Sequence, residues 1–243
     1  MIKAILLDLD NTLIRNPDRA FATEYLRLCD HFFYERWKID HFSQLIISAV
    51  RAMASGNNPR QTNAEAQLNL LHEKTHLPKN ILHEGLADFF VEQYPILQHC
   101  TGTIIGASKL VHYLLKTDYA LVIATNPLYP LEAIQQRLRW AGVPDNPDDY
   151  AFVTHSDNTH FTKPHPSYYA EILARVGIEP DEAIMIGDSL KNDIVPADAL
   201  GLHSFQIDTD DEYTLVKLVE KLDQTDWLST LHSKPLSPAM IPI

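Results

Sequence analysis

The chain contains few cysteines, few basic residues and no long apolar run. Each of these shortages argues against a class of protein. Its 243 residues include two cysteines, Cys29 and Cys100, far apart in sequence, which indicates free, buried thiols and excludes a disulfide framework. No stretch approaches the roughly 18 apolar residues of a membrane span, and the first residues lack the features of a secretory signal. We therefore expect a soluble, cytoplasmic protein with no membrane partner.

The charge balance is strongly acidic. Twenty basic residues face 32 acidic ones, for a formal net charge of -12. Nucleic acid and anionic lipid both require basic surface, so neither is expected as a partner. An anionic substrate would need positive charge supplied locally, by a metal, by a few Lys or Arg side chains, or by backbone amides.

Residues 15 to about 100 show helical patterning without a strand. The apolar spacing predicts helices over residues 18–38, 41–55, 63–75 and 79–94. The aromatic side chains of this region are expected to form the interior of a helical bundle: Phe21, Tyr25, Phe32 and Trp37.

Strands and helices alternate through the rest of the chain. An apolar strand is predicted over residues 2–7, and further strands over 119–125, 151–154, 183–186 and 204–207. The segments that separate and follow the later strands read as helices, at residues 106–117, 130–141, 167–176, 192–200 and 213–222. This alternation predicts an α/β fold, a doubly wound parallel sheet with helices on both faces and an inserted helical domain. The tail from residue 234 is expected to be irregular.

Two carboxylates follow the first strand. Because side chains alternate along a strand, Asp8 and Asp10 should project to the same side while Leu9 points away. The carboxyl ends of parallel strands are where open α/β sheets bind ligands, and a pair of carboxylates suits a hard cation such as Mg2+. A polar turn after a core strand is the simpler alternative.

Three further polar clusters fall at or just beyond strand ends. Thr125-Asn126 could bind phosphate oxygens or form an ordinary turn. Lys163, before Pro164, could neutralise a phosphate or be a solvated loop residue. Asp188, in Gly-Asp-Ser with Asp193 five residues on, could ligate a metal or cap a helix.

In order, the motifs D-x-D-x-T, Thr-Asn, Lys-Pro and G-D-x-x-x-x-D resemble those of the haloacid dehalogenase superfamily. The resemblance is to its phosphatase-like form, with a helical cap inserted after the first strand. It implies a core from residues 1–14 and 101–243 and a cap from 15–100. Because both joins between the helical insert and the sheet are short, we expect the cap to move as a unit on hinges near residues 15–17 and 98–102.

The resemblance also implies the role of each acidic residue. Asp8 matches the nucleophile and Asp10 the general acid/base. Mg2+ would be held by the Asp8 carboxylate, the Asp10 main-chain carbonyl and Asp188. Asp193 matches an acidic position that orients the lysine or the metal shell.

The phosphate-binding positions are implied in the same way. Thr125 and Asn126 match the phosphate binders, and Lys163 matches the neutralising lysine. Asn11 stands where many members have Gly, and Asn also tolerates unusual backbone angles.

The activity so implied is Mg2+-dependent hydrolysis of a small phosphorylated metabolite, a phosphate monoester, through an aspartyl-phosphate. A phosphomutase or phosphotransferase shares the first half-reaction and stays open, as does a catalytically silent binding module. Asp10 disfavours a dehalogenase, since the dehalogenases that the chain resembles lack this second Asp. Neither the substrate nor the choice between monomer and homodimer follows from the sequence.

Several further side chains are candidates for binding a metal or the substrate. His72 and His76 have the i, i+4 spacing of a metal pair but no evident third ligand. The histidines around Lys163 are His155, His160 and His165, and one of them could meet substrate. Arg60, between two cap helices, could reach an anionic group or remain solvated.

Overall fold

The computed structural model describes residues 1–55 and 58–222, so the irregular tail expected from residue 234 lies outside the described residues. The strands are β1 (Ala4–Leu7), β2 (Ile14–Arg15), β3 (Gly102–Thr103), β4 (Ala120–Ile123), β5 (Phe152–Val153), β6 (Ala183–Gly187) and β7 (His203–Gln206). The α-helices are α1 (Asp18–Trp37), α2 (Phe42–Ser55), α3 (Asn63–Thr75), α4 (Lys79–Glu92), α5 (Ala107–Leu114), α6 (Leu131–Ala141), α7 (Pro166–Val176), α8 (Val195–Leu200) and α9 (Thr214–Leu222).

Five of the strands form one parallel sheet in the order β5-β4-β1-β6-β7. The first strand of the chain is central, with Leu7 beside Ile123 of β4 and Ile186 of β6. All four residues of β1 are buried, as expected for a strand covered on both faces. The predicted α/β fold is therefore confirmed.

Side-chain alternation along β1 divides the interior into two layers. Ile5 and Leu7 pack with apolar residues of α5, α6 and α9 on one face of the sheet. Ala4 and Leu6 pack with residues of α7 and α8 on the other. Burying an aliphatic side chain contributes ~1.5–3 kcal/mol, so both layers stabilise the sheet. The sheet is doubly wound.

Helices α1 to α4 form a separate apolar cluster between β2 and β3. Phe21, Tyr25 and Phe32 are buried in it and Trp37 packs against it, so the prediction that these aromatics form a bundle interior is confirmed. The cluster also takes in residues of the sheet-bearing part: Ala133 and Trp140 of α6, and Tyr129 just before α6. The helical insertion therefore shares its interior with α6.

Several local predictions were wrong in detail. Arg15 is not part of a strand-free segment, because β2 pairs antiparallel with β3 and brings the two ends of the insertion together. The helix predicted to reach residue 94 ends at Glu92 and is followed by a 3-10 segment, Tyr94–Cys100. The helix predicted from residue 192 begins as a π-helical turn, Leu190–Ile194. Both cysteines are free, but only Cys29 is buried, whereas Cys100 is partly exposed.

Within the described ranges, no helix has both the length and the apolar character required to cross a bilayer.

Candidate active site

The carboxyl ends of β1, β4 and β6 lie side by side and carry most of the predicted site residues. The Asp8 amide donates to the Ile186 carbonyl at 2.9 Å, and the Ala124 amide donates to the Leu7 carbonyl at 2.7 Å. The sheet ladder therefore continues to the start of each polar segment. It places Asp8 between the Thr125-Asn126 segment and the Gly187-Asp188 segment.

Lys163 connects two carboxylates at this edge. Its Nζ lies 2.7 Å from Asp8 Oδ1 and 2.6 Å from Asp193 Oδ1. The lysine is only 4% exposed, so it is not a solvated loop residue. A buried ammonium needs paired charges, and the two carboxylates supply them.

Lys163, Asp8 and Asp193 form a carboxylate-lysine trio. Burial and the neighbouring charges shift the pKa values of Asp8 and Lys163 in opposite directions. Burial raises the pKa of Asp8 to about 7, although Lys163 works to lower it. Burial also disfavours the charge on Lys163, but Asp8 and Asp193 outweigh that effect and hold its pKa well above the usual value. The lysine therefore stays cationic, whereas burial disfavours the ionised form of Asp8.

The turn after β6 shapes the Asp193 end of the trio. Asp193 Oδ2 accepts a hydrogen bond from the Ser189 amide at 3.0 Å, while its other oxygen contacts Lys163. Ser189, and not Asp188, caps the π-helical turn through its side chain. A Cβ atom at Gly187 would overlap the Asp193 carboxylate, so glycine is required here.

Three carboxylates at this edge fit a divalent cation. Asp8, Asp188 and Asp193 each offer an oxygen atom, and these oxygens all lie within 4.8 Å of one another. Hard oxygen ligands of this kind suit Mg2+, and a cation would offset the mutual repulsion of three carboxylates held so close together. The Asp10 carboxylate is not part of this cluster.

The Asp10 carboxylate has partners of its own. Oδ1 accepts from Asn16 Nδ2 at 2.9 Å, and Oδ2 forms an ion pair with Arg137 Nη1. The turn that carries it depends on Asn11, whose φ of 60° lies in the left-handed region that Asn tolerates. The Asn11 side chain also accepts from the Asn16 amide at 3.0 Å.

Sequence reasoning missed Arg137. It lies on α6 among the buried residues Ala133, Ile134, Leu138 and Ala141, and is itself 1% exposed. Its guanidinium lies over the Tyr129 ring, 4.8 Å from the centroid. The available signal was an arginine at a position of the α6 pattern that otherwise holds apolar residues.

The two predicted phosphate binders lie beside this trio. Thr125 is buried, and its carbonyl accepts from Tyr168 Oη at 2.8 Å and Thr154 Oγ1 at 2.7 Å. Asn126 Oδ1 accepts from the Lys163 amide at 3.3 Å. The two loops that carry Asn126 and Lys163 are therefore in direct contact.

The histidines near Lys163 are engaged locally. The His155 ring contacts Asp157, the His160 ring contacts Glu171 at 2.6 Å, and His165 caps α7 by accepting from the Ser167 amide. The remaining candidates also lie apart from the acidic cluster. His72 contacts the Leu77 carbonyl, His76 ends α3, and Arg60 is exposed.

A recess of ≈370 Å³ adjoins the acidic edge on the β6–β7 side. Its lining includes Asn11, Arg15, Asp188 and Asp208. Arg137 is not among the residues that line it.

The sheet topology and the carboxylate-lysine trio define an α/β protein of the doubly wound class with an acidic site at the strand ends. A family model described as haloacid dehalogenase-like hydrolase matches residues 2–201, and the chain belongs to that family.

Its relatives include phosphatases. It is 26% identical to the phosphoglycolate phosphatase of Vibrio vulnificus over 211 residues, 84% of this chain and 82% of that one. It is 33% identical over 99 residues to the glyceraldehyde 3-phosphate phosphatase of Pyrococcus furiosus, which spans only 40% of this chain and 38% of the relative. Among solved structures, a phosphatase of this family from Thermococcus onnurineus aligns with a TM-score of 0.54 at 19% identity, covering 90% of this chain and 98% of the other.

Proposed function

We propose that the chain is a Mg2+-dependent phosphatase that hydrolyses a small phosphate monoester through an aspartyl-phosphate on Asp8. The observation that carries the proposal is the buried contact of Lys163 with Asp8 and Asp193 at the carboxyl edge of the sheet. The names of relatives aligned over most of the chain support the reaction class. The same proposal places the protein in the cytoplasm, in keeping with its two free cysteines.

The proposed roles are those that the family resemblance implies for each residue, and the contacts of Asp8, Lys163 and Asp193 support them. Asp8 is the nucleophile, and Lys163 neutralises the transferring phosphoryl group together with the Thr125-Asn126 segment. Asp8, Asp188 and the Asp10 carbonyl hold Mg2+, while Asp193 orients Lys163 through the 2.6 Å contact. The bound cation supplies charge neutralisation for the phosphoryl oxygens.

In the first step an Asp8 oxygen attacks phosphorus and the bond to the leaving oxygen breaks. Asp10 donates its proton to that oxygen. Its side chain is 28% exposed, whereas that of Asp8 is 10% exposed, so the Asp10 carboxyl group is the more accessible to an incoming ester. Lys163 holds the Asp8 carboxylate in place during attack.

In the second step water attacks phosphorus and gives its proton to Asp10. The bond between phosphorus and the Asp8 oxygen breaks, which releases phosphate and restores both carboxyl groups. General acid–base catalysis of this kind typically contributes ~10²–10⁴-fold to the rate.

We also propose the division into a core (residues 1–14 and 101–243) and a cap (15–100). The apolar cluster that α1–α4 form supports it, and Ala133, Tyr129 and Trp140 of the core pack into the same cluster. The cap contacts the core loop that follows β5, since the amides of Asn63 and Ala64 donate to the carbonyls of Thr159 and Ser156, each at 2.9 Å. Motion of the cap as a unit stays a prediction, and closure would exclude water from the phosphoryl site.

A turnover screen over phosphorylated metabolites, with and without Mg2+, tests the proposal. We expect at least one small monoester to be hydrolysed with release of phosphate. This release should require Mg2+ and should be lost in Asp8→Asn. Transfer of the phosphoryl group to a second sugar hydroxyl, with no free phosphate, would indicate a phosphomutase instead. Binding of phosphorylated compounds without turnover would indicate a silent binding module.

A further inference from the structure

Arg137 is a buried cation that the proposed reaction does not use. Its side chain is 2% exposed, and the carboxylate that it contacts, Asp10, belongs to the proposed proton-transfer machinery. Placing an arginine in the interior is expensive unless its charge is paired. If the residue served only to join α6 to the cap, an apolar side chain of similar volume would do so without the free-energy cost of burying a charge.

The guanidinium of Arg137 packs on an aromatic ring that belongs to a larger group of rings. Tyr129 lies under it, and the Tyr129 ring lies 6.0 Å from the ring of Tyr94 in the 3-10 segment that ends the cap. Tyr94 in turn stacks on Trp140 of α6 at 5.6 Å. The guanidinium therefore lies against a group of aromatic rings that connects α6 with the last segment of the cap.

The two donors to Asp10 leave part of its carboxylate uncommitted. Asn16 Nδ2 binds one oxygen and Arg137 Nη1 the other, and each carboxylate oxygen can accept more than one hydrogen bond. Among the described residues, the Nε and Nη2 atoms of Arg137 are buried and have no hydrogen-bond partner. The contact with Asp10 is therefore the one side-chain hydrogen bond of the Arg137 guanidinium within the described part of the chain.

We propose that Arg137 is a positioning residue, which together with Asn16 holds the Asp10 carboxylate oriented for proton transfer at the phosphoryl site. The inference rests on the proposed phosphatase function. It predicts that Arg137 acts on the reaction only through Asp10, and mainly on the hydrolysis of the aspartyl-phosphate, where Asp10 accepts the proton from water.

The test is a double-mutant cycle of Arg137→Met with Asp10→Asn, using an aryl phosphate whose leaving group needs little protonation. Arg137→Met should lower kcat by ~10²-fold, the effect of a misplaced catalytic group, with little change in metal affinity. In the Asp10→Asn background the same substitution should cause no further loss. Acid-quenched Arg137→Met enzyme should also contain more aspartyl-phosphate at steady state than wild type.

The chain offers a matched control on the same helix. Arg139 is two residues further along α6, its side chain is 64% exposed, and it pairs with Asp145. Arg139→Met should leave kcat and the aspartyl-phosphate level at wild-type values. Arg137→Lys, which keeps the charge but loses the planar guanidinium that lies over the Tyr129 ring, should recover only part of the rate.

If Arg137→Met does not fold, Asn16→Ala replaces it in the cycle, because it removes the other donor to the Asp10 carboxylate. Equal rate losses in the wild-type and Asp10→Asn backgrounds would overturn the inference and leave Arg137 as a structural residue. Phosphatase activity that survives Asp8→Asn, or wild-type protein that hydrolyses no phosphate ester, would overturn the proposed function and this inference together.

Discussion

Asp8 and Asp10 leave the same end of β1 two residues apart, yet the two carboxylates lie in different surroundings. Asp8 faces Lys163 and the acidic residues that follow β6, all of which belong to the sheet edge. Asp10 faces Asn16 at the start of the insertion and Arg137 on α6. One carboxylate is surrounded by core elements, and the other lies where core and cap meet.

This difference suits two chemical roles. A nucleophile benefits from a rigid, charge-neutralising environment, and the Lys163 contact provides one without depending on the cap. A group that transfers protons in both directions must meet the leaving oxygen and later a water molecule. Because Asp10 lies between core and cap, substrate binding and product release would change the surroundings of its carboxylate, while Asp8 stays fixed among core residues.

The largest expected effect is that of Asp8→Asn. The amide cannot attack phosphorus, so turnover should fall on the order of 10⁶-fold, as for the loss of other covalent nucleophiles. The fold should survive, because burial already opposes the charge of Asp8 and Lys163 keeps Asp193 as a partner. Steady-state kinetics and circular dichroism measure both. A variant with wild-type rates would show that the nucleophile is a different group.

Asp10→Asn should have a smaller effect on turnover. We expect a loss of ~10²–10⁴-fold with Mg2+ affinity retained, since the main-chain carbonyl is unchanged. For the first half-reaction the loss should shrink as the leaving group becomes more acidic. Rates over a series of esters, with calorimetry for the metal, measure this. A uniform loss that follows weakened Mg2+ binding would make Asp10 a metal-site residue only.

Metal binding should separate the two carboxylates without any substrate. Mg2+ at 100 times its Kd should stabilise the protein by ~2.7 kcal/mol, because it binds the site that Asp8, Asp188 and Asp193 form in the folded chain and not the unfolded chain. Thermal unfolding should show this shift in wild type and in Asp10→Asn, but not in Asp188→Asn. Glu84→Gln, an exposed substitution on α4, is the control. An unchanged shift in Asp188→Asn would remove Asp188 from the site.

The smallest effect is expected from Gly187→Ala. The added methyl group would overlap Asp193 and push it away from Lys163, destabilising the fold by ~1–3 kcal/mol. Gly102→Ala is the matched control, since its nearest neighbour would be Arg15 Cβ at 3.8 Å. Chemical denaturation measures both variants. Equal stabilities would show that the Asp193 side chain moves aside at no energetic cost.

The Asp8 surroundings were predictable because each contributing residue follows a strand directly or lies in an adjoining loop. Parallel strands bring their carboxyl ends to one edge, so Asp8, Asp188 and the Thr125-Asn126 segment could be placed together from their order alone. Lys163 follows the same logic through the loop after β5. Helix bounds such as 63–75 also emerged from local patterning, since the capping box at Thr62 and Glu65 is encoded locally.

The Asp10 surroundings were not predictable in this way. Arg137 lies 127 residues from Asp10, and its place depends on how α6 packs against the segment Tyr94–Cys100. No spacing rule relates those elements. The pairing of β2 with β3 was missed for the same reason, because each strand is two residues long and has no pattern of its own.

The separate roles of Asp8 as nucleophile and Asp10 as proton-transfer group are tested most directly by mass spectrometry of acid-quenched Asp10→Asn enzyme after mixing with an aryl phosphate and Mg2+. With Asp10 unable to accept the proton from water, the aspartyl-phosphate should accumulate. The peptide spanning residues 4–15 would then carry the phosphoryl group on Asp8, the single remaining aspartate in it. Phosphoryl transfer to a different residue, or none while hydrolysis proceeds, would contradict the account.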